Sequence, residues 1–263
     1  MNKTGRIVIA LPLLALFNAG VQAKELTVMI SGGFKAAWEQ LAPRFAAQEG
    51  YKITTVSGPS MGQSAQAIPA RLARGERADV VIMVGDALEK LDKAGWVLPG
   101  SRVELADSPV GAVIKKGDTP VSIKTTEELR TVLLRARSVA YSDSASGRYV
   151  SSQLFEKLGI ADRVSSKARM IERIPVASVV ADGQYALGFQ QVSELLPVPG
   201  VTFIGELPAS VQYTTRFAGA VTKGAVDGQE AQKLLRYLSS PAVQQTVRAT
   251  GLKTVAKQTA TVQ

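Results

Sequence analysis

The sequence predicts an α/β fold in two lobes, each a mostly parallel sheet flanked by helices. Three observations carry that prediction. Nearly continuous apolar runs, of which Ala78-Asp-Val-Val-Ile-Met-Val84 is the clearest, alternate with stretches that repeat apolar residues at helical spacing. Strands buried on both faces read this way when crossover helices cover the sheet. A second such series begins near residue 109, and the chain returns to the first near Arg216. Three of the strand-like runs also empty into Ser/Gly clusters that open a helical pattern.

Taken in order, Leu26–Ile30 is a buried strand, and Phe34, Trp38, Leu41 and Phe45 mark one face of a helix that stops at Gly50. Lys52–Val56 is the second strand, followed by a helix from about Gln63 to Arg74 that ends at Gly75. The Ala78–Val84 strand leads into a short helix, Ala87 to Ala94. Pro109–Ile114 is a strand ending in the polar turn Lys115-Lys-Gly-Asp118. Thr125 to Leu134 is a helix with Thr at its start and Glu127 and Glu128 in its first turn, where acidic groups favour the helix dipole. Strand Ser138–Tyr141 and a helix from Tyr149 to Leu158 follow. After them come a helix at Ala177–Ala181 and strands at Ala186–Gln190, Val201–Ile204 and Thr215–Val221. The last helices fill Ala231–Thr250, with a break at Pro241. The division is therefore 24–108 plus 214–263 for one lobe and 109–213 for the other. Two crossings between lobes make a hinge, and ligands commonly sit in such a cleft.

Residues 1–23 read as a secretory signal peptide. Lys3 and Arg6 form the basic region, Ile7 to Phe17 the apolar region, and Val21-Gln-Ala23 a small-residue cleavage site. The apolar run is too short to span a bilayer, so a soluble periplasmic protein beginning near Lys24 is expected. The chain has no Cys and no His. That excludes a lipid-anchoring cysteine, a disulfide framework, imidazole or thiolate metal sites, and Ser-His-Asp or Cys-His nucleophiles. No metal or other cofactor is expected, and proton chemistry falls to Asp, Glu, Lys, Tyr or a hydroxyl. The apolar fraction of 46% is enough for a proper core. The formal charge of +9 is spread along the chain. Export argues against nucleic acid as the partner, and a diffuse positive field suits small anions.

The Ser/Gly clusters are Ser31-Gly32-Gly33, Ser57-Gly-Pro-Ser60-Met61-Gly62 and Ser142-Asp143-Ser144-Ala-Ser146-Gly147. A helix start offers unpaired N–H groups and the positive end of a dipole, Gly lets a ligand approach the backbone, and Ser adds uncharged donors. One cluster alone reads as an N-cap. Three after strands read as a site for a small oxyanion or carboxylate, with Ser31, Gly32, Gly33, Ser60, Met61, Ser144 and Ser146 as candidate ligand contacts.

Four blocks carry a family resemblance: Ser31-Gly-Gly-Phe-Lys-Ala-Ala37, Ala70-Arg-Leu-Ala-Arg-Gly-Glu-Arg-Ala-Asp-Val-Val-Ile82, Ala145-Ser-Gly-Arg-Tyr149 and Leu187-Gly-Phe-Gln-Gln191. Through them the chain resembles the periplasmic molybdate-binding proteins, members of the type II periplasmic binding-protein superfamily. The resemblance implies that fold, with the ligand in the inter-lobe cleft. It also adds Gln190, Gln191, Arg148 and Arg173 to the site. Where that family has a Ser, this chain has Gly33, and where a Tyr closes the site it has Gln191. Arg173 matches an apolar residue whose backbone N–H meets the oxyanion. Guanidinium groups at Arg148 and Arg173 suit a longer anion with several carboxylates. Gly58–Gly62, Tyr141–Gly147 and Gly188–Leu196 look like a divergent branch that includes aconitate isomerase. That branch implies a cofactor-free allylic proton shift between cis- and trans-aconitate, with Asp143 or Tyr149 as the candidate base and Lys35 and Glu194 also beside the clusters. The alternative it implies is a solute-binding protein that delivers an oxyanion or small carboxylate to an ABC permease.

Overall fold

The computed structural model describes residues 24–255; the predicted signal peptide lies outside the described residues. Nine strands are present: β1 Lys24–Ile30, β2 Tyr51–Ser57, β3 Val80–Val84, β4 Val103–Lys115, β5 Val139–Ser142, β6 Ala168–Ile171, β7 Leu187–Gln191, β8 Val201–Glu206 and β9 Thr214–Val221. They follow the hydrogen-bonded order β2-β1-β3-β9-β4-β7-β5-β6, with β8 pairing β4. The wings are parallel, as β1 pairs β2 and β3 while β5 pairs β6 and β7. The centre is antiparallel, because β9 pairs β3 and β4, and β4 pairs β7 and β8. The sheet is thus mixed, and its antiparallel part is built where the chain passes between its two halves. No helix among the described residues is long and apolar enough to cross a membrane.

Strand β4 serves both halves. Val103–Pro109 faces β9, while Val110–Val113 faces β7. Pro109 sits at the changeover, where a residue without an N–H costs the ladder least. Register partners Asp107 and Arg216 pair there through their side chains, with Arg216 Nη2 3.1 Å from Asp107 Oδ2.

Two buried clusters lie on either side of this crossing. One gathers Leu26, Met29, Phe34, Trp38, Phe45, Val81, Phe217 and Leu235. The other gathers Val110, Leu129, Leu133, Tyr149, Phe155, Phe189 and Leu207. The helical spacing of Phe34, Trp38, Leu41 and Phe45 places all four inside on the helix Gly32–Glu49. Each such side chain contributes about 1.5–3 kcal/mol by leaving water. Gly50, at φ 71°, ends that helix in the left-handed conformation and returns its N–H to Ala46 O. The capping box forms as the sequence indicates, with Thr125 accepting from Glu128 N and Glu128 accepting from Thr125 N.

Several elements differ from expectation: strand β4 begins at Val103, six residues ahead of its expected start, and short helices at Ala161–Val164 and Val192–Leu195 were not anticipated. The helix placed at Gln63–Arg74 is confined to Ile68–Ala73, since Pro69 in its first turn cannot donate to a preceding turn. Strand β6 was not anticipated; it is a short edge strand with a charged residue in its middle. The helix placed from Tyr149 begins at Ala145, passes through a π-helical segment at Val150–Leu154 and ends at Lys157.

Asp79, the acidic residue inside the apolar block, is buried and does local work. Its carboxylate accepts from Thr27 N at 2.7 Å and Val226 N at 2.8 Å, tying β1 to the turn after β9. Asp79→Ala strands two buried N–H groups, each formerly on a charged acceptor. We expect urea denaturation to register a loss of about 1.5–3 kcal/mol; a change under 0.5 kcal/mol would remove Asp79 from the stability argument.

Candidate functional site

The first two clusters are joined. Val84 N donates to Ser60 Oγ at 2.9 Å, and Ser60 Oγ donates to Ser31 Oγ at 2.8 Å. Ser31 is an acceptor in that chain, so its own proton is left for another partner. Both serines are buried, at 5% and 4% exposure. Ser31 stands at the N-cap of the Gly32 helix without capping it by its side chain. The first-turn N–H groups therefore keep their donor capacity.

The third cluster repeats the arrangement. Ser142, Ser144 and Ser146 hydroxyls form a triangle with sides of 2.7, 3.0 and 3.1 Å. Ser144 is the N-cap of the Ala145 helix and likewise makes no side-chain cap bond. Both helix starts thus spend their serine hydroxyls on other serines, which is not what a plain N-cap does. Ser142, at the end of β5, was outside the predicted contacts; its hydroxyl meets those of both Ser144 and Ser146.

The two halves meet at Gly32-Gly33. Ser193 Oγ donates to Gly33 O at 2.7 Å. A Cβ on Gly33 would lie 2.3 Å from Gln191 Oε1 and 2.3 Å from Phe217 Cζ, and one on Gly32 would lie 2.6 Å from Glu194 Oε2. Only glycine permits this approach. Gln190 and Gln191 end β7 and are both buried. Gln190 Oε1 accepts from Val176 N at 2.9 Å, so its amide nitrogen faces Glu194 Oε2 at 2.7 Å. Glu194 keeps some accessible surface while lying deep among protein atoms. Burial pushes its pKa up to about 7, the Gln190 hydrogen bond opposes the rise, and the charge of Asp143 adds to it.

The other predicted residues are placed as follows. Asp143 is exposed, and its Oδ2 accepts from Arg173 N at 3.3 Å. Arg173 sits at φ 66°, a left-handed conformation rare for a side-chain-bearing residue, and its side chain is exposed. Tyr149 is buried, its hydroxyl donates to Val211 O at 2.5 Å, and its ring stacks on Tyr213 at 4.8 Å. Desolvation raises its pKa further. A phenol whose proton is committed to a carbonyl and whose ionisation is opposed is a poor base, which corrects the Tyr149 assignment to packing. Lys35 is exposed and faces Glu39 at 3.6 Å. Arg148 reaches across to the Met61 sulfur. Ser60, Met61, Arg148 and Tyr149 all line one cavity of about 930 Å³ between the halves. Lys90, Trp96 and Tyr213 line it too. Those three follow no cluster or motif, so the sequence held no signal for them. The second cluster and the start of the Ala145 helix thus line the cavity together with the exposed Arg148 and Lys90, whereas the Ser31 cluster, the Ser142 triangle, Gln190, Gln191 and Glu194 are not among its lining residues.

Gly33→Ser forces a Cβ into Phe217 and Gln191. We expect about 1–3 kcal/mol of destabilisation from overpacking. At about 2–4 °C per kcal/mol, calorimetry should resolve a lower Tm; an unchanged Tm would mean the approach is not tight.

Comparison with known proteins places these features in a family. The model for bacterial extracellular solute-binding proteins matches residues 26–253. An aconitate isomerase from Pseudomonas sp. is 42% identical over 233 residues, covering 89% of each chain. The molybdate-binding protein ModA of Azotobacter vinelandii is 26% identical, covering 94% of this chain and 96% of its own. Among solved structures, the periplasmic molybdate-binding protein of Azotobacter vinelandii superimposes with a TM-score of 0.71 at 24% identity, over 89% of this chain and all of the other. The last likeness supports the α/β binding-protein fold, and the match over nearly all the described residues settles membership: the chain belongs to the bacterial extracellular solute-binding protein family.

Proposed function

We propose that this protein interconverts cis- and trans-aconitate by a cofactor-free allylic proton shift in the cleft. The observation that carries this reading is the likeness to the Pseudomonas aconitate isomerase over most of both chains. The reaction needs no electron carrier. A C–H bond breaks at the substrate methylene, the double bond migrates, and a C–H bond forms at the former vinylic carbon. The carbanion between these steps spreads its charge onto carboxylate oxygens as a dienolate. Stabilising it calls for donors fixed in advance where that charge collects. The Ser31 hydroxyl, whose proton is left over, and the N–H groups at the Gly32 and Ala145 helix starts are such donors, and a hydroxyl of the Ser142, Ser144 and Ser146 triangle joins them by turning its proton outward. Arg148, at the cavity wall, suits one carboxylate of a tricarboxylate, and Arg173 is a candidate for another. In this reading 24–108 with 214–263 and 109–213 act as lobes that close on the anion. Residues 1–23 direct export to the periplasm.

The family and the molybdate-binding relative favour a second reading, a receptor that hands a small anion to an ABC permease. One assay separates them. Purified protein mixed with trans-aconitate should yield cis-aconitate by proton NMR. Binding without conversion would leave only the receptor. Arg148→Ala should weaken trans-aconitate by about 1.5–3 kcal/mol, the range for a charged hydrogen bond; unaltered binding would return Arg148 to the surface.

A further inference from the structure

The geometry points to Glu194 as the group that takes the proton from one allylic carbon of the substrate and returns it to the other. This rests on the isomerase reading and names the chemical actor within it. Glu194 belongs to the first turn after β7, at the closing seam of the two halves, with Oε2 against the first residue of the Gly32 helix. Its surroundings fix its position without fixing its charge. Gln190 is locked by Val176 N, so its amide can only donate to Oε2. An arginine or lysine at Gln190 would hold the carboxylate ionised, whereas a neutral amide leaves it free to accept and release a proton. Oε1 has no hydrogen-bond partner among the described residues and is the atom left for the proton.

The charged groups around it fit this role. Asp143, from the turn after β5, disfavours the ionised form, and the Val176–Ala181 helix brings no charged side chain. Lys35, on the Gly32 helix, is turned to Glu39. Burial is the main cause of a pKa near 7, which lets one carboxylate act as base in the first step and acid in the second at neutral pH. The balance is closed: the proton leaves the methylene carbon for Oε1, the allyl system holds the electron pair, and the same or a solvent-exchanged proton leaves Oε1 for the other carbon.

Glu194→Gln tests it. Turnover of trans-aconitate should fall at least about 100-fold, the low end for removing a general base. Binding should be kept or tightened, because a negative group beside a tricarboxylate has gone. Folding has its own control. A carboxyl raised above its ordinary value is a burden on the fold once ionised, fully so above pH 7. The variant should therefore melt higher than the parent at pH 8, with the gap closing towards pH 5. In the parent, kcat/KM should rise with pH through a midpoint near 7 and that limb should be absent from the residual activity of Glu194→Gln. A Glu194→Gln protein converting aconitate within about threefold of the parent overturns the assignment while leaving the isomerase reading intact. A parent that binds aconitate and never converts it removes both. A variant that folds but loses binding together with turnover also overturns it, making Glu194 a binding residue.

Discussion

The approach of the second half of the chain to Gly32-Gly33 is the constraint from which the site follows. Ser193 Oγ bonds Gly33 O, the Phe217 ring and the Gln191 amide occupy the place of a Gly33 Cβ, and the Glu194 carboxylate lies against Gly32. Glycine is used here for space, since neither residue has the positive φ that would require it for conformation. The local sequence Ser-Gly-Gly thus sets the long-range geometry. The anion-friendly helix start and the seat for the opposing half are the same few residues.

The donors collected there are almost all neutral. Hydroxyls linked in chains and unpaired helix N–H groups can surround an oxyanion in a region of low effective dielectric, where each is worth more than in water. They ask no counter-charge to be buried when the cleft is empty. The cations lining the cavity, Arg148 and Lys90, are exposed, so water limits the cost of leaving them unpaired. This division suits an anion with more than one charged end.

Much of this was legible in the sequence because burial on both faces leaves an unmistakable run. Val80–Val84 is wholly buried and reads as such. The spacing of Phe34, Trp38, Leu41 and Phe45 likewise marks one helix face. What escaped was set by partners distant in sequence. Strand β6 alternates weakly because it lies at an edge, with its middle residues exposed. The Ala145 helix starts inside the Ser/Gly cluster, against the low helix propensity of Ser and Gly. It does so because Gly147 packs on the Ser142 carbonyl, where a Cβ would fall 1.5 Å from the oxygen. For the site, the three clusters stood out by composition, and Gln190 and Gln191 by resemblance. Tyr149 was misread because a hydroxyl beside a cluster says nothing of where its proton goes; here it goes to Val211 O. The weight of Glu194 was hidden for the same reason, since its burial against Gly32 arises only when the turn after β7 meets the Gly32 helix.

That carboxylate also bears on why a binding scaffold would carry such a residue at all. A receptor for anions gains nothing from an acid at its seam. Two like charges about 4 Å apart repel by about 4 kcal/mol at an effective dielectric near 20, which costs roughly three decades of affinity. Keeping the acid protonated removes that cost, and burial works towards this by pushing the pKa up to about 7 against the opposing Gln190 hydrogen bond. A group poised between its two states beside an anion site is a handicap for holding a guest and an asset for moving its proton. The setting of Glu194 therefore favours chemistry over simple retention, on a fold that serves either use.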